Sequence, residues 1–149
     1  MTPADPDYER RARDSFARQA VMSTIGAALE AVAPGRAVVT IDHRAELTQQ
    51  HGFLHAGIVA TALDSACGYA AFTLMPADAA VLTVEFKVNL LAPARGPRLR
   101  CEAAVTKAGR TISVVDGRAV QLGDDGQESL VATMTATVMT VLGRAGLRH

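Results

Sequence analysis

Residues 56–74 form a long run of small and apolar side chains that contains a single charged residue, Asp64. The run predicts a helix whose apolar side chains occur on every face rather than along one stripe. Such a helix is stable only when the rest of the fold encloses it on most sides. Because many of its side chains are alanine or glycine, the surrounding elements can approach it closely. The chain therefore needs a layer that wraps around this helix.

Much of the remaining chain follows the two-residue period of β-strands. From Thr83 to Leu90 every second side chain is apolar, which predicts a strand with one face toward the helix. Pro34-Gly35 is a turn signal between two short runs and predicts a first hairpin. The predicted strands cover residues 27–33, 37–42, 83–90, 98–106, 111–122 and 130–141.

These elements predict an α+β fold in which a six-stranded antiparallel sheet wraps around one buried helix. Turn signals at residues 107–110 and 124–126 join the long strands, and short connections favour antiparallel neighbours. A chain of 149 residues accommodates one such domain. We predict the domain over residues 21–142, an amphipathic helical extension over residues 1–20 and a flexible tail over residues 143–149.

Composition argues against several classes of protein. The 15 basic and 15 acidic residues balance, which disfavours binding of nucleic acid or of anionic membranes through net charge. Two cysteines are too few for a disulfide framework or a four-thiolate zinc site. The chain starts without a signal-peptide pattern and has no apolar run of membrane-spanning length, so we expect a cytoplasmic protein. The preference for arginine over lysine fits a bacterial origin.

Two features of the predicted helix suggest chemistry. A carboxylate in an apolar helix, such as Asp64, is costly to bury unless it is paired, hydrated or protonated. It is either a functional group or a polar contact to a neighbouring element. At the helix start, Ala56 and Gly57 leave room for a carbonyl oxygen or a phosphate to approach the free N–H groups. An ordinary loop-to-helix connection explains the same pattern.

Several short segments together resemble the hotdog-fold acyl-CoA thioesterases of the phenylacetyl-CoA (PaaI-like) type. They are Gln49, His55-Ala56-Gly57, Asp64, residues 83–96 and residues 109–111. In order and spacing they cover about residues 20–142. The resemblance implies a hotdog fold, in agreement with the fold predicted above. It also implies hydrolysis of an acyl-CoA or aryl-CoA thioester with no cofactor or metal, because coenzyme A enters as part of the substrate.

The resemblance further implies roles for single residues. Asp64 matches the family's catalytic carboxylate, which acts as a general base toward water or as a nucleophile. The N–H of Ala56, together with that of Gly57, matches the oxyanion donor. Gln49 matches the residue that orients the carbonyl or the water, and Thr83 matches a hydroxyl near the carboxylate. In this family the site spans a dimer interface, and dimers of dimers are common.

The sequence departs from the family pattern at two positions. Ala56 replaces the first glycine of the usual His-Gly-Gly, which adds a methyl group beside the oxyanion donor. Gln49 replaces the commoner asparagine and reaches one methylene further. His55 is expected to order the loop through contact with Gln49. His51 and His55 are four residues apart but lack a third metal ligand, so we predict no metal site.

A local excess of basic residues between residues 95 and 118 suits the phosphates of coenzyme A. A solvated strand face explains the same charges equally well. The predicted phosphate contacts are Arg110, Lys107, Gly109, Thr111 and Arg95.

Two other functions stay open. A hotdog hydratase or dehydratase pairs a histidine with an acidic residue, and His55 and Asp64 are both present. A non-catalytic acyl-CoA binding module has the same fold, although residues 1–20 are too short for an attached DNA-binding domain. Cys67 has no evident basic partner and is predicted to be a buried structural thiol. The width of the acyl tunnel is expected to depend on Phe53, Leu54, Met75, Phe86 and Leu91.

Overall fold

The computed structural model describes residues 1–147, so the predicted flexible tail at residues 143–149 lies partly outside the described residues. The helices are α1 (Tyr8–Arg18), α2 (Ala20–Ile25) and α3 (Ala56–Phe72). The strands are β1 (Ala27–Ala33), β2 (Arg36–Asp42), β3 (Ala80–Leu90), β4 (Arg98–Lys107), β5 (Ile112–Leu122) and β6 (Glu128–Val141). Within residues 1–147, no helix is both long and apolar enough to cross a membrane.

The six strands form one antiparallel sheet in the order β1-β2-β4-β5-β6-β3. Helix α3 packs against all six strands, so the sheet encloses it as its composition requires. The predicted α+β fold, a six-stranded antiparallel sheet around one central helix, is confirmed. Strands β1 and β3 are the two edges of the sheet.

The core lies between the sheet and α3. In β4 the side chains predicted to point inward, Leu99, Cys101, Ala103 and Val105, are all buried. Small residues permit this close packing: a Cβ at Gly117 of β5 would lie only 3.0 Å from Cys67 Sγ. The short side chains predicted to allow a close approach to the helix are thus matched by a glycine on the strand that packs on it.

The N-terminal extension is fastened to the end of α3 by a buried arginine. The Arg11 guanidinium donates to the carbonyl oxygens of Phe72, Met75 and Pro76 at 3.3, 2.7 and 2.9 Å. Its Nε forms an ion pair with Asp5 at 2.9 Å, and its Cζ lies 4.1 Å from the centre of the Phe72 ring. Arg11 therefore binds carbonyl groups at the C-terminal end of the helix, where a cation is favoured.

Two expectations about the sheet are wrong. Strands β3 and β4 are consecutive but do not pair, because residues 91–97 carry the chain from the edge strand into the middle of the sheet. The apolar face of β3 is also not covered by α3 along its length. The exposed fractions of Val84, Phe86 and Leu90 are 55%, 44% and 53%. Alternation along a strand identifies an apolar face but not what covers it.

Candidate active site

Asp64 lies in the middle of α3, on the part of the helix that faces β3. The carboxylate is half-buried, and the Thr83 hydroxyl donates a hydrogen bond to its Oδ1 at 2.7 Å. Burial raises the pKa of Asp64, and the hydrogen bond from Thr83 lowers it and so opposes this shift. Two residues predicted for the site, 19 positions apart in the chain, are therefore in direct contact. The net effect is a pKa above that of an exposed aspartate.

The start of α3 is capped by His55. Its Nδ1 accepts a hydrogen bond from the Gly57 N–H at 2.9 Å. Among the hydrogen bonds of residues 1–147, none joins His55 to Gln49, so the expected contact between them is not found. The Gly57 N–H is thus occupied, whereas the Ala56 N–H has no acceptor within the described residues. Of the two expected oxyanion donors, only that of Ala56 is free.

A cavity of about 370 Å³ opens beside the start of α3. Gln49 borders it, and its side-chain oxygen accepts a hydrogen bond from the His51 N–H, which leaves the amide NH₂ for other partners. Among the residues expected to set the acyl tunnel, Met75 and Phe86 do not line this cavity. The other lining residues are Phe53, Leu54, Ala56, Val59, Leu90, Leu91, Ala92, Pro93, Ala94 and Val131.

The two halves of the predicted site do not meet within one chain. Asp64 follows Ala56 by eight residues on the same helix, which separates their backbones by about 12 Å along its axis. Thr83 lies with Asp64, whereas Gln49 lies with Ala56 at the cavity. Within one chain the pair Asp64 and Thr83 is therefore separate from the pair Gln49 and Ala56.

The predicted phosphate contacts are also divided. The Arg95 guanidinium stacks on Phe53, 4.3 Å from the ring centre, near the cavity. The other four contacts, Lys107, Gly109, Arg110 and Thr111, are exposed on the turn between β4 and β5, at the opposite end of β4. That turn lies at the same end of the sheet as Thr83, because Ser113 and Thr83 both pair with Val138 of β6.

The predicted basic patch is less positive than its sequence indicates. Arg98 pairs with Asp42, and Arg100 pairs with both Glu102 and Glu128. Asp42 lies on β2 and Glu128 on β6, so both are outside the segment whose charges were counted. Of the six basic residues between positions 95 and 118, Arg95, Lys107 and Arg110 form no ion pair with another residue among positions 1–147.

Cys67 is buried behind Asp64. Burial raises the pKa of its thiol to about 12, and the negative charges of Asp64 and Asp116 act in the same direction. A thiol in this environment stays protonated and is a poor nucleophile. This agrees with the prediction that Cys67 is structural.

Sequence reasoning missed two features of this region. The stacking of Arg95 on Phe53 joins residues 42 positions apart, and no local pattern indicates it. The cap by His55 is local, but histidine is not among the residues that usually cap helices, so the motif did not predict it. The one signal for this cap in the sequence is a histidine at the predicted helix start with a glycine two positions later.

A helix enclosed by a single antiparallel sheet, with a polar site along that helix, defines the hotdog class of proteins. The sequence model of the thioesterase superfamily matches residues 51–127, and the chain belongs to this superfamily. A thioesterase family protein from Silicibacter pomeroyi is 57% identical in sequence. Its crystal structure superposes with a TM-score of 0.89, covering 91% of this chain and 99% of that one.

Two further proteins are similar to this chain. The PaaI protein from the phenylacetic acid degradation operon of E. coli shares the fold, with a TM-score of 0.81 at 20% identity, over 94% of this chain and 97% of that one. A provisionally named esterase from Saccharolobus solfataricus is 40% identical over 82 residues, 55% of this chain. The match spans 58% of that relative, which is less than two thirds of its length. The predicted family resemblance is thus confirmed.

Proposed function

We propose that this protein hydrolyses acyl-CoA or aryl-CoA thioesters to a free acid and coenzyme A. The observation that carries the proposal is the half-buried Asp64 carboxylate, held by Thr83 on the open side of an otherwise apolar helix. Membership of the thioesterase superfamily supports the reaction class. The apolar cavity beside the helix start supports an acyl or aryl substituent as the group next to the thioester carbonyl.

Asp64 supplies the chemical step in this proposal. As a general base it accepts a proton from water while the water oxygen attacks the thioester carbon. The tetrahedral oxyanion that forms is stabilised by the Ala56 N–H, and breaking of the C–S bond then releases the thiolate of coenzyme A, which takes up a proton. As a nucleophile Asp64 instead attacks the thioester carbon and expels the coenzyme A thiolate, which takes up a proton, and water then cleaves the resulting anhydride to the free acid and Asp64. Neither route requires a metal or a further cofactor.

The complete site is proposed to form between two copies of the chain. Strand β3 is an edge of the sheet and carries exposed apolar side chains, which is the kind of surface that a second strand covers. If two β3 strands pair antiparallel about a two-fold axis, Asp64 of one copy approaches Gln49 and Ala56 of the other. Within one chain, Ala56 and Asp64 are separated by about 12 Å along the axis of α3, which is too far for both to contact one thioester carbonyl. A second copy of the chain supplies the missing half.

The substrate's nucleotide end has two candidate contact regions. Lys107 and Arg110, on the exposed turn between β4 and β5, form no ion pair within residues 1–147 and suit phosphate groups. Gly109 and Thr111 complete that turn. Arg95 is the second region and lies at the other end of β4, beside the cavity. In the proposed dimer, Arg95 of one copy lies closer to Lys107 and Arg110 of the other copy than to those of its own chain.

The first test measures coenzyme A release from a panel of aryl-CoA and alkyl-CoA thioesters. Asp64→Asn is the matched variant because it keeps the size of the side chain and its acceptor for Thr83. We expect kcat to fall by a factor of about 10² to 10⁴, the usual contribution of a general base. A protein-only blank corrects for Cys67 and Cys101. Near-normal turnover by Asp64→Asn would remove Asp64 from the mechanism.

Turnover by none of the esters would disprove the thioesterase proposal. Loss of water from 3-hydroxyacyl-CoA without release of coenzyme A would instead identify a dehydratase. Binding of an acyl-CoA with neither reaction would identify a binding module.

The second test asks whether the site is shared between subunits. Asp64→Asn and Gln49→Ala chains are co-expressed so that mixed dimers form, and each variant is also prepared alone as a control. If each site takes Asp64 from one subunit and Gln49 from the other, every mixed dimer keeps one intact site. The mixture then recovers about one quarter of wild-type activity for a two-fold symmetric dimer. No recovery above the separate variants would show that each site lies within one chain.

A further inference from the structure

The backbone N–H and the backbone carbonyl of His55 both form hydrogen bonds. Its N–H donates to the Leu47 carbonyl at 2.9 Å, and its carbonyl accepts from the N–H groups of Ile58 and Val59 at 2.9 and 3.2 Å. With the backbone held in this way, the ring turns back onto the helix, and its Nδ1 accepts from the Gly57 N–H at 2.9 Å. An imidazole thus performs the task that serine, threonine or asparagine usually performs at a helix start.

Gly57 leaves room for this cap. A Cβ at position 57 would lie 3.1 Å from His55 Nδ1, which is tighter than an ordinary contact, and 3.5 Å from Cε1. A side chain at this position would therefore require the imidazole ring to shift by a few tenths of an ångström.

Of the first two N–H groups of α3, the cap binds one and leaves the other unpaired. Since the Gly57 N–H is bound to His55, it is not available to an incoming carbonyl oxygen. The preceding N–H, that of Ala56, has no acceptor within residues 1–147, and Ala56 borders the apolar cavity. The arrangement presents one backbone donor to the cavity and satisfies the next one internally.

We infer that His55 is a positioning residue, which caps α3 through Gly57 and thereby holds the Ala56 N–H as the single oxyanion donor. This inference rests on the proposed function. His55 transfers no proton in this role and contacts the helix rather than the reacting atoms. An oxyanion exists only in the transition state and intermediate, so a displaced donor lowers kcat and leaves KM nearly unchanged.

The test compares two variants, each of which places a polar atom near one of the two ring nitrogens of the imidazole. His55→Asn places an acceptor oxygen close to the position of Nδ1, whereas His55→Gln places one close to Nε2 and lacks the nearer acceptor. Asparagine is also a good helix cap, and glutamine is not. We expect His55→Asn to keep kcat within about twofold of the wild type. His55→Gln and His55→Ala should lower kcat by about tenfold with little change in KM, because a displaced Ala56 N–H stabilises the oxyanion less.

Amide hydrogen exchange at Gly57 provides a readout that does not depend on turnover. The Gly57 N–H should be protected in the wild type and in His55→Asn, and it should exchange faster in His55→Gln and His55→Ala. Equal kcat for His55→Asn and His55→Gln would overturn the positioning role. An unprotected Gly57 N–H in the wild type would overturn the cap itself.

The failure of this inference is distinguishable from failure of the proposed function. A wild-type protein that releases coenzyme A, together with variants that do not follow the Asn and Gln order, refutes the inference and leaves the function. A wild-type protein that releases none refutes the function and with it the positioning role. The Gly57 exchange series then still decides whether the histidine caps the helix.

Discussion

The two edges of the sheet are built differently. Strand β1 is seven residues long, its pairing register shifts between Leu29 and Ala31, and the N-terminal helices pack beside it. Arg13 donates to the Leu29 carbonyl at 3.0 Å and so satisfies one of the edge acceptors. Strand β3 is 11 residues long and exposes apolar side chains such as Phe86, and on its outer side no other strand of residues 1–147 pairs with it.

This difference shows which edge is protected against pairing and which is available for it. Short length, an irregular register and a side chain bound to the edge carbonyl all discourage the addition of a strand at β1. A long apolar edge invites it at β3. The carboxylate of Asp64 lies on the β3 side, where burial makes its charged form less stable. The β1 side stabilises the fold, and the β3 side carries the proposed chemistry and association.

The largest effect on stability is expected from the extension on the β1 side. Arg11→Ala removes a buried guanidinium from Asp5 and from three carbonyl groups. We expect the free energy of unfolding to fall by about 3 to 5 kcal/mol, as for a broken buried ion pair. The control is Arg13→Ala, whose ion pair with Glu9 is exposed, with an expected loss below about 1 kcal/mol.

Denaturant unfolding at one fixed protein concentration measures both variants, so that any self-association contributes equally to the two measurements. Equal losses for Arg11→Ala and Arg13→Ala would show that the extension does not fasten the helix as the contacts indicate.

The next largest effect is expected on association through the β3 edge. Phe86→Lys puts a charge on the exposed apolar face of β3 and should weaken self-association by at least about 30-fold, as for a residue central to an interface. Ala28→Lys makes the same change at an exposed position of β1 and should leave association unchanged. Analytical ultracentrifugation over a range of concentrations measures both. The comparison of the edges fails if Ala28→Lys disrupts the assembly and Phe86→Lys does not.

A smaller effect concerns the pH dependence of activity on the β3 side. Asp64 must be ionised to accept a proton, so activity is lost as pH falls through its pKa. The hydrogen bond from Thr83 lowers that pKa, and Thr83→Val therefore raises it and moves the acid limb to higher pH. Thr83→Ser keeps the hydroxyl and should keep the profile. A kcat profile that is identical for Val and Ser would mean that the hydroxyl does not act on the carboxylate.

The smallest effect is expected on the stability of Asp64→Asn. Because burial raises the pKa of Asp64 in the folded state, ionisation of this group destabilises the fold at neutral pH. The amide should therefore raise Tm by a few degrees at pH 7. The destabilisation by ionised Asp64 is complete above its pKa in the folded state and vanishes below its pKa in the unfolded state. The difference in Tm between Asp64→Asn and the wild type should therefore shrink as the pH is lowered. A decrease in Tm at pH 7 would show that the charged form stabilises the fold.

Local patterns predicted most of the fold. The apolar run that became α3 and the alternation in β4 specify a buried helix and a strand with one covered face, since burial of apolar surface drives both. The contact between Asp64 and Thr83 also agrees with the roles that the family resemblance implies. The pairing of β2 with β4 and of β3 with β6 was not predicted, because strand neighbours depend on how the whole chain crosses the sheet.

The sequence alone determined which surfaces are apolar and which residues are candidates for the site. It did not determine what lies opposite them, because side-chain period carries no information on distant partners. The tertiary structure left the apolar face of β3 uncovered and paired Arg98 and Arg100 with acidic side chains. In the folded chain the Gly57 N–H also donates a hydrogen bond to His55, and Asp64 lies about two turns of helix away from Ala56. The uncovered face of β3 and the ion pairs of Arg98 with Asp42 and of Arg100 with Glu128 depend on segments far apart in the chain. The cap by His55 is local, but it depends on a ring orientation that the sequence does not specify.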